Sequence, residues 1–347
     1  MSFLKELSEA RGVSGREDEV RAFIYDKVRD LADECRVDAL GNLIVLRKAR
    51  AKASQPVPRR VMLAAHMDEI GLMITEIAKN GTLKFRPIGG IDPRLMLAKK
   101  VLVGDKKVPG VIGGTPIHKL EDKDMEQVLR HEQLAIDIGA TSEAEAGKLT
   151  HVGDYATFDT AYEELGGIVK GKSFDDRAGC AVLMELLKED FPFDLYAVFT
   201  VQEEVGLRGA RVAAYAVEPD CAIALEGTIA DDLPKKKDVS PTSQLGKGPV
   251  VSVMDRSFIA HPGMLRHLVA VAEAKGIPYQ FKQPGIGGTD AGAIHLTKEG
   301  VPSLAVAVPS RYIHSPVSLL NLKDFENTVA LVRETLHALT LETIRPE

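Results

Sequence analysis

Tryptophan is absent from the 347-residue chain, and all aromatic residues together make up only 5% of it. Clefts that hold sugars usually offer flat aromatic platforms, so the chain is poorly furnished for carbohydrate. Cysteine is nearly as scarce. Cys35, Cys180 and Cys221 are an odd number without paired spacing, which argues against a disulfide framework or a cysteine-based zinc finger and fits a reducing cytoplasm. Positive charge is not in excess: a net charge of −6 supplies no basic footprint for nucleic acid or an anionic membrane. No apolar run approaches the roughly 20 residues of a membrane span. The N-terminal MSFLKELSEARG is amphipathic and lacks the long apolar centre of a signal peptide. No internal repeat is visible. The apolar fraction of 45% and charged fraction of 27% are those of a globular protein with a sizeable core.

Ser14 and Glu17 read as a capping box, followed by Val20, Phe23, Ile24, Val28 and Leu31 at helical spacing. NLIVLR (42–47) and VMLAAH (61–66) read as strands, the second apolar on both faces. From residue 68 to 166 the texture changes to short strand-like runs (LMITEIA, VLVGD, VPGVIGG, LAIDIG) broken by Gly, Pro and charge. That pattern predicts a small β-rich module of barrel type. Helix and strand then alternate again, with PSLAVAV the last clear strand and a C-terminal helix capped by Asn321. Continuous apolar strands alternating with helices predict an α/β fold, a mostly parallel sheet covered on both faces. The expected organisation is a catalytic domain in two parts, 1–67 and 167–347, interrupted by a β module at 68–166.

In such a sheet, ligands collect beyond the carboxyl ends of the strands. VMLAAH ends in His66, two residues before Asp68. The strand LYAVFTV runs into Glu203 and Glu204. CAIALE ends in Glu226, and LAVAVPSRYIHS leads through a loop to His314. The FDDRAG turn adds Asp175 and Asp176 ahead of a helix. Each has a plain structural explanation: a satisfied strand-end histidine, a helix cap, a solvated turn. Together they deliver imidazoles and carboxylates to one edge, a donor set that suits Zn²⁺, Co²⁺ or Mn²⁺ in a hydrolytic site. A dication also makes adjacent carboxylates tolerable, so one of Glu203 and Glu204 can bind metal while the other takes a proton from an activated water.

The blocks AAHMDEIG, SFDDRAG, VQEEVGLRGA, ALEGTIADD, GGTDAG and PSRYIHSP, in that order around an inserted module, resemble the two-metal aminopeptidases of the tetrahedral and glutamyl aminopeptidase group. The resemblance implies two divalent metals per subunit, Zn²⁺ or Co²⁺ with Mn²⁺ admissible. It implies Asp175 as the bridging ligand, His66 and Glu226 on one metal, and Glu204 and His314 on the other, with Asp176 a competing candidate for the bridge. Many members carry Asp where this chain has Glu226. By the same resemblance Glu203 is the general base, Asp68 orients His66, and peptides with a free N-terminus are the substrates. It also implies homo-oligomers, including dodecameric shells, assembled through residues 68–166. Thr289 and Asp290, on a Gly-rich turn, are candidate substrate-binding residues or part of a structural turn. The other histidines read as surface or packing residues, and Arg256 as a surface ion pair.

Three other readings stay open. An amidohydrolase or carboxypeptidase could use the same scaffold. An endoglucanase would also use paired carboxylates, but has no need of the histidines. A non-catalytic, metal-stabilised scaffold has no use for Glu203.

Overall fold

In the computed structural model, which describes residues 3–120, 127–234 and 241–345, the chain opens with helices α1 (Leu4–Glu9) and α2 (Asp18–Val28). Strands β1 (Glu34–Val37), β2 (Leu43–Arg47) and β3 (Arg60–His66) follow. Helix α2 buries Val20, Ile24 and Val28 on one face. It does not start with the expected capping box. Glu17 caps it without a side-chain bond; instead its carboxylate accepts from the amides of Gly15 and Gln202, while the Ser14 hydroxyl donates to Asp68. A buried charged acceptor outbids a helix amide that water can reach, so tertiary demand overrides the local motif.

Six strands then close into a barrel: β4 (Gly71–Ile77), β5 (Leu83–Ile88), β6 (Lys100–Val103), β7 (Val108–Gly113), β8 (Ala135–Asp137) and β9 (Tyr155–Phe158), in the order β4-β5-β8-β7-β6-β9. Alternate residues point inward, so Leu72, Ile74, Leu83, Phe85, Val101, Val103, Ile112, Ile136 and Ala156 fill the lumen. The strands β5 and β9 are additions to the four runs read from sequence. LKFRPI alternates with Lys and Arg and contains Pro87, and YATF is only one short run, so neither carries a strong strand signal.

The chain returns to the first sheet at β10 (Glu163–Leu165) and β11 (Ile168–Gly171). It continues through α3 (Phe174–Leu186), β12 (Asp194–Thr200), α4 (Arg208–Val217), β13 (Cys221–Ile229) and β14 (Val250–Ser252). The last elements are α5 (Pro262–Lys275), β15 (Gln280–Phe281), α6 (Ala291–Ile294), β16 (Ser303–Arg311), β17 (Ser318–Asn321) and α7 (Leu322–His337). PSLAVAV is therefore not the last strand: β17, short and preceded by Ser and Pro, pairs antiparallel with the end of β16. Asn321 caps α7 as expected, its side chain accepting from the Lys323 amide.

The sheet order is β1-β2-β12-β3-β13-β16-β17-β11-β10, with β14 and β15 beside β16. Strands β12, β3, β13 and β16 run parallel at its centre, between antiparallel margins. Along β3, Val61, Leu63 and Ala65 face the core beneath α3, while Met62 and Ala64 face α4 and α6. Both faces are dry, which is why the strand is apolar at every position. All three cysteines are free. Among the described residues no helix is long and apolar enough to cross a membrane.

Candidate active site

Because the four central strands are parallel, their carboxyl ends open on one edge. His66 ends β3, level with Thr200 at the end of β12. Ala64 pairs with Ala224, so Glu226, two residues further along β13, reaches the same level as His66. Strand β13 runs on to Ile229, so Glu226 lies within it and not at its end. Gly227 is what lets the Asp175 segment approach: a methyl group there would sit 2.7 Å from the Asp175 Cα and 2.8 Å from the Phe174 carbonyl oxygen. His314 stands on the turn between β16 and β17.

The two oxygens of Asp175 face different histidines. Oδ1 lies 3.3 Å from His66 Nε2, and Oδ2 lies 3.4 Å from His314 Nε2. Glu226 Oε2 is 3.6 Å from His66 Nε2, and Glu204 Oε2 is 3.6 Å from His314 Nε2. Two donor groups result, His66–Asp175–Glu226 and Asp175–Glu204–His314, and they share Asp175. Glu203 belongs to neither, although its Oε2 comes within 3.8 Å of His66 Nε2. Asp176 is occupied elsewhere: its carboxylate accepts from the backbone amides of His66 and Gly179.

The distal ring nitrogens are engaged by carbonyls. His66 Nδ1 lies 3.1 Å from the Asp68 carbonyl oxygen, closer than the 3.5 Å to the Asp68 carboxylate. His314 Nδ1 donates to the Gly90 carbonyl at 2.9 Å, a contribution of the barrel that no sequence motif signals. Both arrangements leave Nε2 facing the acids. The Asp68 carboxylate has other work. It accepts from the Ser14 hydroxyl at 2.6 Å, from the Glu203 amide at 3.0 Å and from the Glu204 amide at 3.1 Å. The adjacent glutamates are thus held by their backbones. Asp290, fully buried, accepts from the Thr200 hydroxyl, and its amide donates to Glu226 Oε1 at 3.1 Å. Thr289 lines the cavity in front of the acids and donates to Asp255. Arg256 reaches the Gly285 carbonyl and braces this turn, and among the described residues it makes no ion pair, contrary to expectation. The remaining histidines lie outside both donor groups: His131, His267 and His295 contact carbonyls, and His261 caps α5.

The electrostatics are those of acids crowded out of water. Burial pushes the carboxyls of Glu203 and Glu226 well above their usual range, and that of Glu204 up to about 7. Burial would lower His66, but Glu203, Asp175 and Asp68 outweigh it and hold the ring well above its ordinary value. His314 is pushed up to about 10, Asp175 and Glu204 overcoming its burial. Two imidazoles and several carboxyls that favour holding protons form a site where dications would take the protons' place. The donors are nitrogen and oxygen only, and one buried oxygen, Asp290 Oδ1, has no hydrogen-bond partner. The residues fit a metal centre of the Zn²⁺, Co²⁺ or Mn²⁺ type.

The M42 glutamyl aminopeptidase family matches the chain over residues 41–331. The chain belongs to that family. It is a peptide-bond hydrolase, and a metal-dependent aminopeptidase, on the fold its relatives share. The lysyl aminopeptidase of Pyrococcus furiosus is 36% identical over 345 residues, covering 97% of this chain and 96% of its own. The crystal structure of a TET aminopeptidase from the marine sediment archaeon Thaumarchaeota archaeon SCGC AB-539-E09 is similar with a TM-score of 0.92. It is 39% identical and covers 99% of this chain and 98% of that one. The TET1 peptidase of Pyrococcus horikoshii, described as assembling into a tetrahedron or a large octahedral shell, is 38% identical. Its TM-score is 0.84, with 97% of this chain and 98% of that chain covered.

Proposed function

We propose that this aminopeptidase works with a pair of divalent metals: Asp175 between them, His66 and Glu226 on one, Glu204 and His314 on the other. The observation that carries the reading is the split carboxylate of Asp175, each oxygen turned to a different histidine. The competing use of Asp176 as the bridge loses support because its oxygens already accept two backbone amides. Held by these residues, such a pair would supply a water of lowered pKa and polarisation of the scissile carbonyl.

The chain's own residues do the rest. Glu203, in neither donor group and with its carboxyl raised by burial, accepts the proton of the attacking water and returns it to the leaving amine. Asp68 holds the backbone of the Glu203–Glu204 turn, and Asp290 steadies Glu226 through its amide. Thr289, on the cavity wall, is the better candidate of the Gly-rich turn for touching substrate.

Replacing Glu203 by Gln tests the assignment. Bound metal should stay at the wild-type amount while kcat on aminoacyl nitroanilides falls by roughly 10²–10⁴. A variant that turns over normally would remove Glu203 from the mechanism. Blocking the N-terminus of a peptide should abolish cleavage; unimpaired cleavage would favour an amidohydrolase or carboxypeptidase instead. We also propose that the barrel carries the contacts of a homo-oligomeric shell. Leu95, Leu97 and Val111 are exposed on this part of the chain, and the Pyrococcus horikoshii relative forms such shells. A monomer in light scattering at working concentration would refute this.

A further inference from the structure

The family's description speaks of glutamyl and a relative's name of lysyl, so names do not decide which first residue this chain prefers. The cavity in front of the metal donors bears on that choice. It measures about 460 Å³, and much of its wall is small: Gly227, Ser252, Gly287, Gly288, Ala305 and Ala307. The register explains the shape, since Ser252 on β14 sits opposite Ala305 on β16, and Val250 opposite Ala307. Room is left there for a side chain of moderate length.

Into this space the fold brings a lysine. Lys282 follows directly on β15 and is anchored by its amide, which donates to the Val251 carbonyl at 3.0 Å. The residue is only 6% exposed and lines the cavity. Its Nζ lies against the Gly-rich turn, 3.5 Å from where a Cβ on Gly287 would stand. Among the described residues no carboxylate pairs with this ammonium group and no acceptor hydrogen-bonds to it. The acids that share the cavity, Asp175, Glu203, Glu204 and Glu226, are gathered around the two histidines. The ammonium group opens on the cavity with no counter-charge of its own, free to pair with an anion that arrives with the ligand.

We infer that Lys282 recognises a carboxylate of the substrate, and that this carboxylate is the side chain of an N-terminal Glu or Asp. The inference rests on the aminopeptidase reading above, which brings the first residue of the substrate to the metal donors and so its side chain into the adjoining space. Lysyl and arginyl N-termini are excluded by like charge, and apolar ones leave the ammonium group unpaired.

The test is a panel of glutamyl, aspartyl, leucyl and lysyl p-nitroanilides with the full-length protein loaded with Zn²⁺, Co²⁺ or Mn²⁺. The expected kcat/KM on the acidic pair exceeds that on leucine by at least about tenfold and that on lysine by about 100-fold. Lys282→Met should lower the acidic-to-leucyl ratio by about 100-fold, Lys282→Arg should keep the acidic preference, and Lys282→Glu should shift the preference toward lysine. Equal or better cleavage of leucine by the wild type overturns the inference, as does a Lys282→Met variant slowed on every substrate by one common factor. A second arm compares peptides with free and amidated C-termini. If Lys282→Met affects only those with a free C-terminus, whatever their first residue, the carboxylate it reads is the terminal one and the assignment is wrong. Failure to cleave any member of the panel would sink the aminopeptidase reading and this inference together, whereas cleavage without acidic preference sinks this inference alone.

Discussion

Replacing Asp68 by Asn probes the support of the site at its centre. The two carboxylate oxygens have separate duties: Oδ1 accepts from the Glu203 amide, and Oδ2 accepts from the Glu204 amide and the Ser14 hydroxyl. Whichever way an Asn side chain turns, its NH₂ group faces a backbone N–H, a donor against a donor. At least one charge-assisted bond is lost and the others lose their charge. At about 1.5–3 kcal/mol for each bond to a charged group, the total is roughly 2–4 kcal/mol. The damage falls on the turn that carries both a metal donor and the proposed base. Expressed in the transition state it corresponds to a drop of roughly 10²–10³ in kcat/KM. Metal affinity, measured by calorimetric titration of the stripped protein, should fall about 10–100-fold. Ser14→Ala removes only the neutral donor and should cost about tenfold or less. The reasoning is refuted if Asp68→Asn stays within about threefold of wild type at saturating metal, or if Ser14→Ala is the more damaging change.

Other consequences follow from the same geometry. Glu69 is buried between Lys172, whose Nζ is 2.7 Å from it, and Arg177, at 3.5 Å. Glu69→Gln leaves two buried cations without their counter-charge and should lower stability by about 3–5 kcal/mol, a fall in Tm of about 4–7 °C by scanning calorimetry. The pH dependence has a definite sign. Burial alone would raise the Glu69 carboxyl, but Lys172 and Arg177 hold it below the usual 4.5, whereas burial prevails over Glu69 at Lys172 and lowers its pKa. A carboxyl depressed in the folded state stabilises fully above its unfolded value and loses that contribution as pH falls through the folded one. The deficit of Glu69→Gln should therefore shrink as pH falls below about 4.5; a deficit that widens on acidification would contradict this. Gly227→Ala should displace Asp175, because the atoms that a methyl group would meet are backbone of the Phe174–Asp175 segment, which yields less readily than a side chain. Expected are a cost of about 1–3 kcal/mol and weakened metal binding, and a variant with normal metal affinity would show that the close approach is dispensable. Chelation should abolish turnover, and at metal concentrations near 100 Kd it should remove about 2.7 kcal/mol of stability, visible as a lower Tm that Zn²⁺, Co²⁺ or Mn²⁺ restores.

The amino-acid sequence by itself determines the layers. Strands such as VMLAAH are apolar at every position because both faces of the sheet are covered, and that is visible without coordinates. It also shows which residues bring chemistry to the sheet edge, since charged and imidazole types interrupt apolar runs at His66, Glu203, Glu204 and Glu226, although the run ending at Glu226 hides that its strand continues to Ile229. What it cannot carry is any preference settled between distant segments. Ser14 and Glu17 spell a helix cap, yet they serve Asp68 and Gln202, because a buried charge and buried amides must be satisfied and an exposed helix end need not be. Which of Asp175 and Asp176 turns toward the histidines is decided by β13 and Gly179, not by the FDDR letters. The Gly90 carbonyl behind His314 is separated from it by 224 positions and has no side chain to betray it. Lys282 carries no local signal either: it directly follows a two-residue pairing in an ordinary QFKQPG. Only the pairing of β15 with β14, and of β14 with β16, turns a common surface residue into part of the cavity wall.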